Sequence, residues 1–440
     1  MRRVLIVSPH FCPVNAPDMQ RARLALPHLR ALGWEPVVLA LTPETIEGAV
    51  LEPALEETYS RDIRVVRARG LPPRLTRRFG FGALWLRAGR ALRIAGERLL
   101  AAERGFDLVF FTTTQFDAFA LGPRWLARFG VPYVLDYQDP WVTDYYARTG
   151  RRPPGGAVRF AFSQWRARRR EPEILARAAG LVSVSPAYLA ELAARCPAVA
   201  AKPSAVLPFG ASPADLEVAR LRSPAAPLVP FGDGRIHIVY TGRGGDDLRP
   251  ALRLLFAALA DFRGRAPEEA ARLRFHFIGT SYAPPPLGRE SVLPVAAEHG
   301  VGDLVRETCR RVPYLEALHY LARADAILAV GSDDPAYNAS KLAPCLLAGR
   351  PLLAIFHQAS PAHAFLARHA PAAERVAFEP GNPAEEAALA ALLAWLGGIG
   401  RRGAAPIGAA ADVEPLLARA MTARLAELFG QCLGAARPAL

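Results

Sequence analysis

Lysine is almost missing from this chain. Lys202 and Lys341 are the only two in 440 residues, so the net charge of +13 rests on arginine. Arginine stays charged and pairs through two parallel hydrogen bonds with carboxylates and phosphates. Cysteine is also scarce. Cys12, Cys196, Cys309, Cys345 and Cys432 are odd in number and far apart, which excludes a CxxC metal or redox motif and leaves reduced, buried thiols as the expectation. No uninterrupted run of eighteen apolar residues occurs, so no membrane-spanning helix is expected. The opening Met1-Arg2-Arg3-Val4-Leu5-Ile6-Val7 has too short an apolar core for a signal peptide and runs into Ser8-Pro9-His10 without a small-residue cleavage site. It reads as a first strand. The charge favours anionic partners, but the arginines lack a recognised nucleic-acid module or an interleaved aromatic platform, so no nucleic acid is expected as a partner.

Short apolar runs alternate with longer amphipathic segments, which predicts α/β architecture with parallel sheets. Strands are predicted at 3–8, 36–41, 63–67, 108–112, 133–136, 181–184 and 205–207. A second series is predicted at 236–241, 274–279, 326–330, 352–356 and 375–378. Between the two series, Pro208, Pro213, Pro224, Pro227 and Pro230 fall in a stretch with no clear period, which reads as a linker. The expected organisation is an N-terminal domain over 1–210, a linker over 211–234, a second domain over 235–400, and a loop and helix over 401–440. Two α/β halves of similar size predict a cleft at the carboxyl ends of their strands, where such sheets bind ligands.

The segment Gly331-Ser332-Asp333-Asp334-Pro335-Ala336-Tyr337-Asn338-Ala339-Ser340-Lys341 joins the buried run 326–330 to a short helix over 342–348. Ser340 takes the N-cap position and Lys341 the first turn, so a hydroxyl, a cation and free backbone N–H groups converge where a phosphate would bind. Tyr240-Thr241-Gly242-Arg243-Gly244-Gly245 leaves a strand of the same sheet, its glycines letting a ligand approach the backbone. Arg243 and Lys341 together offset most of the roughly two to three negative charges of a diphosphate without a metal. Asp246 and Asp247 read as caps of the following helix rather than metal ligands. Asp333 reads as an acceptor for a sugar hydroxyl. Tyr337 and Asn338 read as a pocket wall.

The chain resembles the GT-B glycosyltransferases, most nearly the retaining glycosyltransferase family 4 type. The likeness runs through Ser8-Pro9-His10-Phe11, Leu32-Gly33-Trp34-Glu35, Val182-Ser183-Val184-Ser185-Pro186 and Leu207-Pro208-Phe209-Gly210, then Tyr240-Thr241-Gly242-Arg243, Ser340-Lys341-Leu342 and Ala348-Gly349-Arg350-Pro351-Leu352. The resemblance implies two Rossmann-like domains facing across a cleft, with a C-terminal helix. It implies a nucleotide-sugar donor on the C-terminal half, an acceptor on the N-terminal half, and no metal or other cofactor. Donor-side residues are then Gly242, Arg243, Gly244, Ser332, Asp333, Tyr337, Asn338, Ser340 and Lys341, with Arg243 matching the family's diphosphate-binding arginine. Where the family carries the glutamate that holds the donor ribose, this chain has Pro344.

On the acceptor side, His10, Asp18, Arg21, Gln115, Asp139 and Trp141 lie at or just beyond the carboxyl ends of strands. Asp139 is the candidate for acceptor contact or proton acceptance, with Arg243 and Lys341 stabilising the leaving diphosphate. Between Arg61 and Arg104 stand twelve arginines against three acids, interleaved with apolar residues. The stretch 74–104 therefore predicts a peripheral contact with an anionic membrane, seating a cytoplasmic protein at the inner face of the plasma membrane. The run from Arg166 to Arg170 reads as a solvated face. The function expected is sugar transfer to a carbohydrate or lipid-linked acceptor in bacterial surface polysaccharide biosynthesis. The alternatives are a nucleotide-sugar epimerase of the same architecture and a non-catalytic nucleotide-sugar-binding protein, the latter favoured by Pro344.

Overall fold

The computed structural model describes residues 1–76, 83–102, 105–150, 152–153, 156–281, 283, 287–335, 341–379, 385–399 and 413–435. The chain divides into two compact units, Met1–Gly210 with Ala418–Leu440, and Ala211–Leu417.

The first unit is built on seven strands: β1 (Arg2–Val7), β2 (Trp34–Leu41), β3 (Arg64–Ala68), β4 (Leu108–Thr112), β5 (Tyr133–Tyr137), β6 (Gly180–Ser183) and β7 (Ser204–Val206). They lie in the order β3-β2-β1-β4-β5-β6-β7, all parallel. β1, β4, β5 and β6 are buried almost throughout, as near-continuous apolar strands covered on both faces must be. The strand order reverses between β1 and β4, and the loops leaving those two strands hold the polar residues described below.

The second unit repeats the plan with β8 (Ile236–Thr241), β9 (Leu273–Ile278), β10 (Val305–Thr308), β11 (Ala326–Val330), β12 (Leu352–His357) and β13 (Glu374–Phe378). Their order is β10-β9-β8-β11-β12-β13, again all parallel, with the reversal between β8 and β11. One strand escapes the sequence reading. β10 is an edge strand whose buried residue is Val305, while Arg306 is exposed and Glu307 and Thr308 are half-buried, so no apolar run marks it.

The expected linker carries a helix, Pro213–Leu221. Ser212 caps it by accepting the Asp215 N–H at 3.2 Å, and Pro213 supplies the fixed first turn. It packs on the helix Tyr314–Arg323, where His319 Nδ1 donates to the Ala219 carbonyl at 3.0 Å. The last helix, Ala418–Ala435, returns to the first unit and packs on the helix Gln20–Leu29. Its Phe429 ring meets Trp34 and Phe110 edge-on, with centroids 5.2 and 5.1 Å away.

The stretch 74–104, where the sequence predicts a membrane contact, also contributes a helix to the core. Its helix Leu84–Ala102 turns Leu92, Leu99 and Leu100 inward to the core and packs on β2 and β3. Buried Arg87 donates to the Thr45 carbonyl at 2.6 Å. The core takes Leu92, Leu99 and Leu100 of that helix while Leu86 stays exposed, and 77–82 and 103–104 lie outside the described residues. Among the described residues no helix is long and apolar enough to cross a membrane.

Candidate functional site

In the second unit the loop after β8 is held tightly. Tyr240 folds its ring over Gly242 and donates its hydroxyl to the Arg243 carbonyl at 2.7 Å. A Cβ on Gly242 would stand 2.5 Å from that hydroxyl oxygen. The Gly244 N–H donates to the Thr280 carbonyl at 2.7 Å, and a Cβ there would lie 2.1 Å from Ser291 Oγ. Both glycines thus permit close backbone packing within the protein.

Arg243 forms a two-pronged pair with Asp247, Nη1 to Oδ1 at 2.8 Å and Nη2 to Oδ2 at 2.6 Å. This corrects the expected role of Asp247. Gly245 stands at the N-cap of the short helix Asp246–Leu248, no side chain caps it, and Asp247 instead fixes the guanidinium. Burial alone would raise the Asp247 carboxyl, but bonds from Arg243 and Ser332 hold it below the ordinary carboxylate range. Asp247 also joins the two loops, since its carbonyl accepts the Asp333 N–H at 2.8 Å.

The loop leaving β11 is described through Pro335. Ser332 is buried, its hydroxyl accepting the Asp334 N–H at 3.1 Å and lying beside Asp333 and Asp247. Its hydroxyl is thereby engaged within the protein. Asp333 is exposed. Tyr337, Asn338 and Ser340 lie outside the described residues, so the pocket-wall and Ser340 capping readings fall there too. Lys341 occupies the N-cap position of the helix Leu342–Leu347 and is exposed. Its Nζ donates to the Thr241 carbonyl at 3.3 Å, at the carboxyl end of β8. Desolvation pushes the Lys341 ammonium down to about 8, and the positive charges of Arg311 and Arg243 add to it. The structure thus brings Lys341 to the strand end that leads into Arg243.

Arg311 is the cation that sequence reading passed over. It follows the unrecognised β10, and the Arg310-Arg311 pair there was the available signal. Glu307 was missed for the same reason. Its carboxylate accepts the N–H groups of Ser291, Val292 and Leu293 at 3.0, 2.9 and 2.8 Å and the Thr280 hydroxyl at 2.6 Å. It thereby caps the helix Leu293–Glu298 and ties β10 to the loop after β9.

In the first unit a second polar cluster spans the strand reversal. Asp18 is 3% exposed. It accepts from His10 Nδ1 at 2.9 Å, Thr113 Oγ1 at 2.9 Å and the Thr114 N–H at 3.1 Å. Burial would raise its carboxyl, yet these bonds hold it below its ordinary value. An ionised carboxylate only accepts, so Nδ1 of His10 is the donor in this pair and Nε2 is left outside it. Asp139 is exposed, and desolvation of its carboxyl, with the negative Asp18 adding, pushes it up to about 6. The Gln115 N–H donates to Thr113 Oγ1 at 2.9 Å beside this cluster.

Two expected acceptor contacts sit elsewhere. Arg21 is fully buried, donating from Nε to Asp136 Oδ2 at 2.7 Å and from Nη2 to the Leu207 carbonyl at 2.6 Å, with its guanidinium 4.9 Å from the Phe209 ring centroid. The same Asp136 oxygen accepts from Thr112 Oγ1 at 2.7 Å and Gln138 Nε2 at 2.9 Å. Arg21 therefore braces the sheet instead of meeting a ligand. Trp141 belongs to the core, stacked on Phe116 with centroids 5.9 Å apart. Burial among Phe116 and Phe119 withdraws its ring from a sugar.

Two parallel sheets of the 3-2-1-4-5-6 type, each with polar loops at its reversal, define the GT-B architecture. Solved structures agree. HepE (Alr3699) of Anabaena in complex with UDP and glucose is 14% identical, with a TM-score of 0.56 over 97% of this chain and 99% of that one. The UDP-forming α,α-trehalose-phosphate synthase of Burkholderia xenovorans is 14% identical, with a TM-score of 0.55 over 98% and 99%. The N-terminal domain of the Candida albicans trehalose-6-phosphate phosphatase is 11% identical, with a TM-score of 0.58 over 98% and 97%. No curated protein matches the sequence. Residues 20–210 match the family model of the glycosyl transferase 4-like domain. The fold is thus GT-B, and residues 20–210 are similar to the glycosyl transferase 4-like domain.

Proposed function

We propose that the chain moves a sugar from a nucleotide-diphosphate sugar to a carbohydrate or lipid-linked acceptor in bacterial surface polysaccharide assembly. The second unit takes the donor and the first unit takes the acceptor. The observation that carries this reading is the Lys341 ammonium seated 3.3 Å from the Thr241 carbonyl, at the end of the strand that runs into Arg243. A diphosphate placed at this reversal meets cations from two loops, with Arg311 adding to their field. Lys341 and Arg311 supply positive charge in place of a divalent ion, while Asp247 holds Arg243 in position to donate hydrogen bonds. HepE was solved with UDP and glucose, which makes UDP-glucose the first donor to try.

As the bond from sugar to diphosphate breaks, negative charge grows on the leaving oxygen, and Lys341 and Arg243 stabilise it there. In a retaining transfer the acceptor's proton goes either to that oxygen or to a protein carboxylate. Asp139, its carboxyl pushed up to about 6, contacts the acceptor hydroxyl or accepts its proton, and His10 offers Nε2 to a second hydroxyl. Asp333 offers a carboxylate to a donor hydroxyl.

A thermal-shift panel of UDP-, GDP- and dTDP-sugars tests the donor side. The expected result is stabilisation by one nucleotide class, lost in Arg243→Ala and Lys341→Ala. Stabilisation that survives both substitutions contradicts the assignment.

A further inference from the structure

The helix Ala157–Arg177 has two faces of opposite character. Inward it buries Ala167, Glu171, Ile174 and Leu175. Outward it exposes Val158, Phe162 and Trp165, at 85, 60 and 51%. Their spacing of four and then three residues places them on one stripe. Phe162 and Trp165 stack with centroids 5.8 Å apart, and the Arg169 guanidinium lies 5.0 Å from the Trp165 ring centroid. Large apolar side chains held out in water in a row mark an interaction surface.

Charge selects the occupant. Between Gly150 and Arg170 there are seven arginines and no acid. Arg159 and Arg168 are exposed to either side of the apolar stripe, while Arg166 and Arg170 lean on Asp117 at 2.8 and 3.4 Å. A second copy of this chain would bring two arginine-rich faces together, and the one exposed acid of the helix, Glu173, is already paired with Arg177 at 3.4 Å. A nucleic acid would meet the arginines but leave Val158 and Phe162 uncovered. A bilayer of anionic lipid satisfies both, with rings and aliphatic carbons at the acyl boundary and guanidinium groups among the phosphates.

We infer that the outward face of the helix Ala157–Arg177 seats the protein on an anionic lipid surface, through Val158, Phe162 and Trp165 flanked by Arg159, Arg168 and Arg169. The inference is independent of the sugar-transfer reading. It moves the membrane contact from 74–104 to a helix whose apolar stripe the core leaves uncovered.

The test is co-sedimentation of the full chain with vesicles of phosphatidylcholine alone and of phosphatidylcholine mixed with phosphatidylglycerol, at low and high salt. The wild type is expected to partition into the anionic vesicles at low salt and to leave them at high salt. Phe162→Ser with Trp165→Ser, and separately Arg168→Ser with Arg169→Ser, should each lower partitioning at least about tenfold, with unchanged thermal melting. In Trp165→Phe, quenching of tryptophan fluorescence by brominated lipid should fall sharply. Failure of the wild type to partition, equal partition into neutral vesicles, or variants that bind like the wild type would each overturn the inference. So would a dimer that the aromatic double variant dissolves while no form binds vesicles.

Discussion

Arg21 shows how a residue can look like a ligand contact and serve the fold. It follows the loop leaving β1, yet it and Asp136 of β5 are fully buried against each other. Its place in the sequence could not reveal that partner. Arg21→Ala or Asp136→Ala should each cost about 3–5 kcal/mol in denaturant unfolding, because each strands a buried charge. Replacing both with apolar residues of like volume should cost less. Asp139 makes the opposite prediction. Its residue type, beyond a strand end, was legible, whereas its raised carboxyl depends on protein packed around it and on Asp18. If Asp139 accepts the acceptor's proton, kcat/KM rises with pH through about 6, as the carboxyl ionises. Asp139→Asn should flatten that rise and lower turnover by about 10²–10⁴-fold. An unchanged profile assigns the proton to another group.

At the scale of elements, apolar runs marked the seven strands of the first sheet and five of the six in the second. The missing β10 carries two groups of consequence, Glu307 on the strand and Arg311 just beyond it. Edge strands alternate with solvent, so hydrophobicity is the wrong signal for them. Glu307 accepts three backbone N–H groups at one helix start, and those donors have no helical partner of their own. Glu307→Ala should destabilise the protein by about 1–3 kcal/mol and loosen the loop after β9, read by chemical denaturation and by faster amide exchange at Ser291 to Leu293. The helix Pro213–Leu221 escaped for another reason. Proline enrichment read as a break, whereas Pro213 opens a helix capped by Ser212.

For the whole molecule, the doubling of one α/β plan was legible in the alternation of runs, and the return of the last helix to the first unit was not. The contacts of Phe429 with Trp34 and Phe110 link residues hundreds of positions apart, and no local pattern encodes such a partner. The second unit is continuous in sequence, Ala211–Leu417, while the first needs its C-terminal helix. A fragment of 211–417 should therefore fold cooperatively, and a fragment of 1–210 should not, as followed by thermal melting. Adding 418–435 as a separate peptide should restore structure to the latter. Cooperative melting of 1–210 alone contradicts this division.

The donor assignment stands on Lys341 and Arg243, and calorimetric titration with UDP reads it most directly. Lys341 is charged below about 8, and a bound diphosphate favours its proton. UDP affinity should thus fall as pH rises through about 8. Lys341→Ala and Arg243→Ala should each weaken binding by at least about tenfold at neutral pH, the loss of one charge-assisted contact. Binding of equal strength in the wild type and both variants would contradict the account.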